Sequence, residues 1–169
     1  LWLFTVIFFT FFATENTRSQ QDKQADNAAL LSEIIDGYLL IKDALVKEEE
    51  KSAADAAKKT LQAFKKFDFK KLNKAQQKSY LEIAENSIED LEHIIKSPIQ
   101  HQRNHFEYLS NDLNDLISLI GTNKILFQDY CSMANKGKGA KWFSQTEAIS
   151  NPYYGNKMLK CGKIVKKIE

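Results

Sequence analysis

Cysteine and methionine carry the softest ligand atoms a protein has. Every such residue of this chain falls in one of two short motifs, Cys131-Ser-Met133 and Met158-Leu-Lys-Cys161. Two thiolates and two thioethers suit Cu(I), and by the same softness Ag(I), in preference to hard cations. On an extended chain Cys131 and Met133 point to the same side. The spacing of Met158 and Cys161 converges on a tight or helical turn. The same residues admit a plainer reading, in which Cys131 and Cys161 form a disulfide and no cofactor is held. Residue types alone leave both readings open.

A second set of candidate ligands is nitrogenous. The chain has three histidines, His93, His101 and His105. His101 and His105 are four apart and share a helical face, and imidazole suits copper and zinc. His93 lies before Pro98 on the preceding element, so a bend is needed to bring it to the other two. The candidate metal set is therefore Cys131, Met133, Met158 and Cys161, with His105, His101 and His93 as nitrogen donors. The bland alternative for the histidines is a wet surface or a satisfied core position.

Enzyme signatures are missing. The chain has no Gly-rich phosphate loop after a strand and no Gly-x-Ser-x-Gly elbow. A Cys–His nucleophile pair is the one arrangement the residue types allow, and the reading is that the protein is not an enzyme. Glu89, Asp90 and Glu92 read as solvated charges on a helix surface. The net charge is +2 in 169 residues, with lysines interleaved among acids; this is a solvated helical surface and not the concentrated basic face that nucleic-acid binding needs.

These residues must be positioned by elements that the hydrophobic pattern makes visible. Residues 1–13 are almost wholly apolar, the length of a secretory signal core and too short to span a bilayer, which takes about 20 residues. They read as the truncated apolar region of a signal peptide, with an uncleaved anchor as the alternative. That places the body in the periplasm, where a disulfide is permitted, with no membrane span in the mature chain. Residues 14–25 are polar and Gln-rich and read as a disordered linker. Residues 26–169 read as a single domain whose sulfur-rich tail is 122–169.

Within it, apolar residues recur at helical spacing from about Asp26 to Val46, Ser52 to Phe67, Lys74 to Lys96, and from Ser97-Pro98 to Ile120. Ser97 reads as the N-cap of the fourth helix, with Gln100 closing a capping box, and Gly121 as its stop. Beyond Gly121 the period changes. Ile125–Cys131 and Ala140–Phe143 read as strands, Asn151–Gly155 as a turn cluster, and the stretch from Met158 to Ile168 as a last strand. The aromatics Tyr130, Trp142, Phe143, Tyr153 and Tyr154 read mostly as core where tail meets bundle. The expectation is a mainly α protein: a four-helix bundle with a small C-terminal β-hairpin or irregular tail docked on it, since a lone hairpin is marginal in water.

The order Glu92-His-Ile94, His101-Gln-Arg103, His105-Phe106, Tyr130-Cys-Ser-Met-Ala134, Gly139-Ala-Lys-Trp142, Asn151-Pro-Tyr-Tyr-Gly155 and Met158-Leu-Lys-Cys-Gly162 resembles the extracytoplasmic domain-of-unknown-function family 3347. The resemblance covers about Ala29 to Ile168. One departure is Ser132, where the family usually has Pro. Domains of this family occur alone or attached to copper/silver-type efflux adaptors. The resemblance therefore implies a periplasmic protein that sequesters Cu(I) or Ag(I), or delivers it to an efflux adaptor or pump. The alternative is a non-catalytic structural module of the cell envelope with a Cys131–Cys161 disulfide.

Overall fold

The computed structural model describes the backbone of residues 11–169 and side chains from residue 28 onward. Residues 1–10, most of the apolar segment read as a signal, lie outside the described residues.

Four long helices dominate: α1 (Phe11–Val46), α2 (Glu50–Lys66), α3 (Lys74–Lys96) and α4 (Ile99–Ile120). Each packs on the next in sequence, and α4 returns to touch α1 and close the bundle. A three-stranded antiparallel sheet follows, β1 (Leu126–Cys131), β2 (Ala140–Ser144) and β3 (Lys163–Ile168), in the order β2-β1-β3. The expected architecture is therefore found. The tail is one strand richer than a hairpin, because β3 adds to the free edge of β1, and β2 seats the sheet on α4. Among the described residues no helix is long and apolar enough to cross a membrane.

α1 begins well before Asp26, so the backbone of residues 14–25 is helical where the sequence suggests a linker. No Pro or Gly interrupts the chain between Phe11 and Asp36, and nothing there breaks the ladder that the amphipathic part propagates. That part buries Leu31, Ile34, Ile35, Tyr38, Ile41 and Leu45. α2 meets it with Ala53, Ala56 and Ala57, all buried. The approach is close enough that a Cβ on Gly37 would lie 2.1 Å from Thr60 Oγ1.

The start of α4 departs from the expected cap. Ser97 is extended and ends α3, as a residue preceding proline must be, and Pro98 is the N-cap, with no side-chain cap bond. The free Ile99 amide instead donates to Glu50 Oε2 at the start of α2, 3.1 Å away. The capping box lies at the other end of α3. There Asn73 Oδ1 accepts from the Gln76 amide, and Gln76 Oε1 accepts from the Asn73 amide.

Sheet and bundle are joined by buried polar groups. The Tyr38 hydroxyl lies 2.7 Å from Ser110 Oγ on α4 and accepts from the Phe143 amide on β2 at 3.1 Å. Arg103, 4% exposed, donates from Nε to the Pro152 carbonyl and from Nη2 to the Leu45 carbonyl. Its Nη2 also donates to Glu48 Oε1 at 3.4 Å. Gly155 passes over this group with φ +54, and a Cβ there would lie 2.6 Å from Arg103 Nη2.

Cys131, at the end of β1, and Cys161, just before β3, form a disulfide with their Cα atoms 5.8 Å apart. It closes the loop that contains β2 and the Asn151 turn. Asn151 is fully buried, donates from Nδ2 to the Cys161 carbonyl, and accepts at Oδ1 from the Tyr153 amide. In the chain-entropy account a loop of this length contributes about 3–4 kcal/mol. Replacing both cysteines with Ala should lower the unfolding free energy by about that amount in denaturant titrations. An unchanged midpoint would show that the Asn151 turn and the sheet register hold the tail unaided.

Asp129 on β1 is fully buried, and neither carboxylate oxygen makes a hydrogen bond. The Trp142 indole N–H opposite is near enough to favour the ionised form but is not aligned to donate. Burial pushes the Asp129 carboxyl up to about 7, against the pull of Lys42. A folded-state value above the unfolded one means the fold favours the proton. The resulting stability is present in acid and is lost as pH rises from about 4 to about 7. Asp129→Asn should therefore gain on the parent protein across that interval. It should end more stable by about 1–3 kcal/mol, because the amide stays neutral where the buried carboxylate must ionise without a hydrogen-bond donor. Thermal unfolding of both proteins as a function of pH checks this, and a difference that does not vary with pH would contradict it.

Candidate metal centre

The α3–α4 turn supplies the bend that His93 needs. Ser97 and Pro98 reverse the chain, so that α3 and α4 run side by side. The turn is fixed from inside by Gln102. Its Nε2 donates to the Ile94 carbonyl at 2.9 Å, one of the acceptors that the end of α3 leaves open, and to the Glu50 carbonyl at the start of α2 at 3.1 Å. His93, three residues after Asp90, then faces His101 and His105 across the helix pair.

The three imidazoles meet. One ligand nitrogen from each of His93, His101 and His105 can be chosen so that all lie within 4.8 Å of one another. His93 stacks on His105 with ring centroids 4.1 Å apart and an interplanar angle of 3°. His105 Nε2 lies 3.1 Å from His101 Nε2. His93 and His101 are exposed and His105 is half-buried, so an ion can arrive from solvent. Tyr108, also exposed, stands one turn on with its ring 6.1 Å from that of His105.

Behind the imidazoles lies a carboxylate that the sequence reading took for a solvated charge. Asp90 is 7% exposed, and its Oδ1 is 2.7 Å from His105 Nδ1. The signal was present in the periodicity. Ala84, Ser87, Leu91 and Ile94 form the buried stripe of α3, and Asp90 sits within it. Burial, and then Glu89, push the Asp90 carboxyl up to about 7, with His93 pulling it down. One helical layer further on, Asp112 is pushed up to about 6 by burial and by Asp90, while Ser87 Oγ donates to its Oδ2. Burial also lowers His105, opposed by Glu89. A neutral imidazole with a free nitrogen is the form that binds a metal.

The sulfurs are arranged differently. Cys131 and Cys161 are bonded to one another, which removes both thiolates from the candidate ligand set as long as the disulfide stands. β1 ends at Cys131, so the extended geometry that would align Cys131 with Met133 stops there. Met133 sits in the following turn with 53% exposure, while Cys131 is buried. Met158 and Cys161 do form the expected tight turn, the Cys161 amide donating to the Met158 carbonyl at 3.0 Å. The four sulfurs thus comprise one disulfide and two thioethers. Among the described residues the cluster with metal-ligand spacing contains histidine alone.

The family model for a protein of unknown function, DUF3347, matches residues 34–124, more than half of the chain. The chain belongs to the DUF3347 family. The matched segment runs from the core of α1 to the end of α4, so the three histidines and Asp90 lie inside it. The cysteines and methionines of this DUF3347 protein lie beyond it. No curated protein and no solved structure matches the chain.

With its proton affinity lowered by burial, His105 should titrate with a midpoint below the ordinary 6.5. NMR titration of its ring protons in metal-free protein measures this. A midpoint above 6.5 would mean that the carboxylates behind it outweigh desolvation.

Proposed function

We propose that this DUF3347 domain is a non-catalytic metal-binding protein of the periplasm that carries a copper ion on His93, His101 and His105. The observation that carries the reading is the convergence of three imidazole nitrogens within 4.8 Å on two different helices. The donor set fits the ion: imidazole suits copper, and Cu(II) heads the affinity order for divalent first-row metals. The thiolate-rich Cu(I) or Ag(I) site fits only a reduced chain, because the disulfide occupies both cysteines. Two exposed ligands and an open side suit an ion that is exchanged rather than locked in, which agrees with sequestration or delivery to an efflux adaptor or pump. The extracytoplasmic setting is supported by the apolar residues 1–13 and by a disulfide, which persists in oxidising compartments.

A second reading is favoured by the disulfide itself: a structural or interaction module of the cell envelope with no bound ion. Titration of the intact, oxidised protein separates the two. Cu(II) should bind at one equivalent and raise the thermal midpoint. Ligand at one hundred times its Kd adds about 2.7 kcal/mol to stability. His101→Ala and His105→Ala should each abolish the shift. His101 is exposed, so its loss should leave the metal-free midpoint nearly unchanged, whereas His105→Ala should lower it by leaving the buried Asp90 without its partner. An oxidised, folded protein that binds neither Cu(II) nor Cu(I) would leave the structural reading standing. Binding that survives both substitutions but disappears with Cys131→Ser and Cys161→Ser would return the site to the sulfurs.

A further inference from the structure

Asp90 has no place in the ligand set, yet its burial needs a reason. A carboxylate on a two-helix seam could reach solvent on α3 with a small rotation of the helix. Instead it lies among Ser87, Leu91 and Ile94, at 7% exposure. Its neighbour Asp112 is engaged by Ser87 Oγ at 3.2 Å, whereas Asp90 Oδ1 is set 2.7 Å from His105 Nδ1. The two nitrogens of an imidazole point in nearly opposite directions. A ring anchored through Nδ1 therefore presents Nε2 outward, and His105 Nε2 does face His101 Nε2, 3.1 Å away.

We propose that Asp90 is the positioning residue of the histidine centre: it accepts a hydrogen bond from His105 Nδ1–H, fixes that tautomer, and so aims the bare Nε2 lone pair at the point shared with His101 and His93. This rests on the metal-binding reading of the three histidines. An outer carboxylate of this kind fixes the ring and raises its basicity towards the ion. When ionised it also places a negative charge behind three neutral ligands, which favours a cation over a neutral occupant. The same bond orders His101. Because His105 Nε2 carries no proton, the close Nε2–Nε2 contact requires His101 to donate from Nε2. An ion bound through His101 Nε2 then displaces that proton, to Nδ1 or to solvent. The centre is built so that one of its two α4 ligands is preset for metal and the other is released by it.

The test uses the full, oxidised chain, free of metal, at about pH 8, above the ordinary histidine range. Long-range proton–nitrogen NMR correlations should show His105 as the Nδ1–H tautomer, and Asp90→Asn should mix or invert it. The same variant should bind Cu(II) 10–100-fold more weakly at an unchanged stoichiometry, with the metal-free thermal midpoint close to the parent value. A wild-type His105 found as the Nε2–H tautomer overturns the assignment whether or not the variant folds. So does an Asp90→Asn protein that binds Cu(II) as tightly as the parent. If the parent binds no metal at all, the metal-binding reading fails instead. The tautomer of His105 then reports independently whether Asp90 orients it.

Discussion

Burying Arg103 constrains this chain more than any other single choice in its sequence. A guanidinium carries five N–H donors and cannot be neutralised, so it can be enclosed only where acceptors converge on it. The acceptors come from places far apart in sequence. The Leu45 carbonyl is at the end of α1, the Glu48 carboxylate is in the turn after it, and the Pro152 carbonyl is in the loop between β2 and β3. Glu48 adopts φ +63 to take part, a conformation that costs a residue with a Cβ about 1–2 kcal/mol. Gly155 must be bare to pass. Fixing these contacts fixes the first turns of α4 against α1 and the tail, and Gln102, one residue earlier, fixes the same turns against α2 and α3. Two adjacent side chains thus lock the start of α4 on both sides, and His101 and His105 are carried on the segment they lock. The histidine cluster is half-exposed but stands on one of the most constrained segments of the fold.

How much of this was legible in advance follows from range. Helix positions came through well because a stripe such as Leu30, Ile34, Tyr38 and Ile41 is a local signal that tertiary packing reinforces. Two local rules, capping box and proline at the first helical position, both point to Ser97 as the N-cap, yet Pro98 holds that place. The outcome was set by Glu50, forty-nine residues away. The last strand was read from Met158 to Ile168 and starts only at Lys163, because Met158 to Cys161 close a turn. Its residues are exposed along most of its length and carry no local sign of β1 as the partner.

The candidate site shows the same division more sharply. The histidine pair on α4 was visible as a four-residue spacing. The third histidine could be joined to it only by knowing how tightly the Ser97-Pro98 turn folds back. Asp90 was misjudged because charge was allowed to outweigh phase. A carboxylate at a core position of an amphipathic helix is a rare event with a cost, and such a cost is itself the clue. For the sulfurs, residue types left two readings open, a soft-metal site and a Cys131–Cys161 disulfide. The structure forms the disulfide, a choice set by the approach of β1 to the turn before β3, which no local pattern encodes.

That contrast bears on why the chain would keep two ligand chemistries apart. Thiolates outcompete imidazoles for soft ions, so a thiolate pair beside the histidines would take up the ion and hold it. Tying the cysteines together removes that competitor and uses the bond to anchor β3 and the Asn151 turn, while Met133 and Met158 remain as weak, uncharged donors on the surface of the tail. What is left at α3 and α4 is a set of nitrogen ligands whose strength is set by hydrogen bonding and burial rather than by ligand charge. Such a centre can be tuned by a single carboxylate. Burial works in the same direction: by disfavouring the charged ring it keeps protons from competing for His105, so that Asp90 can orient a neutral imidazole.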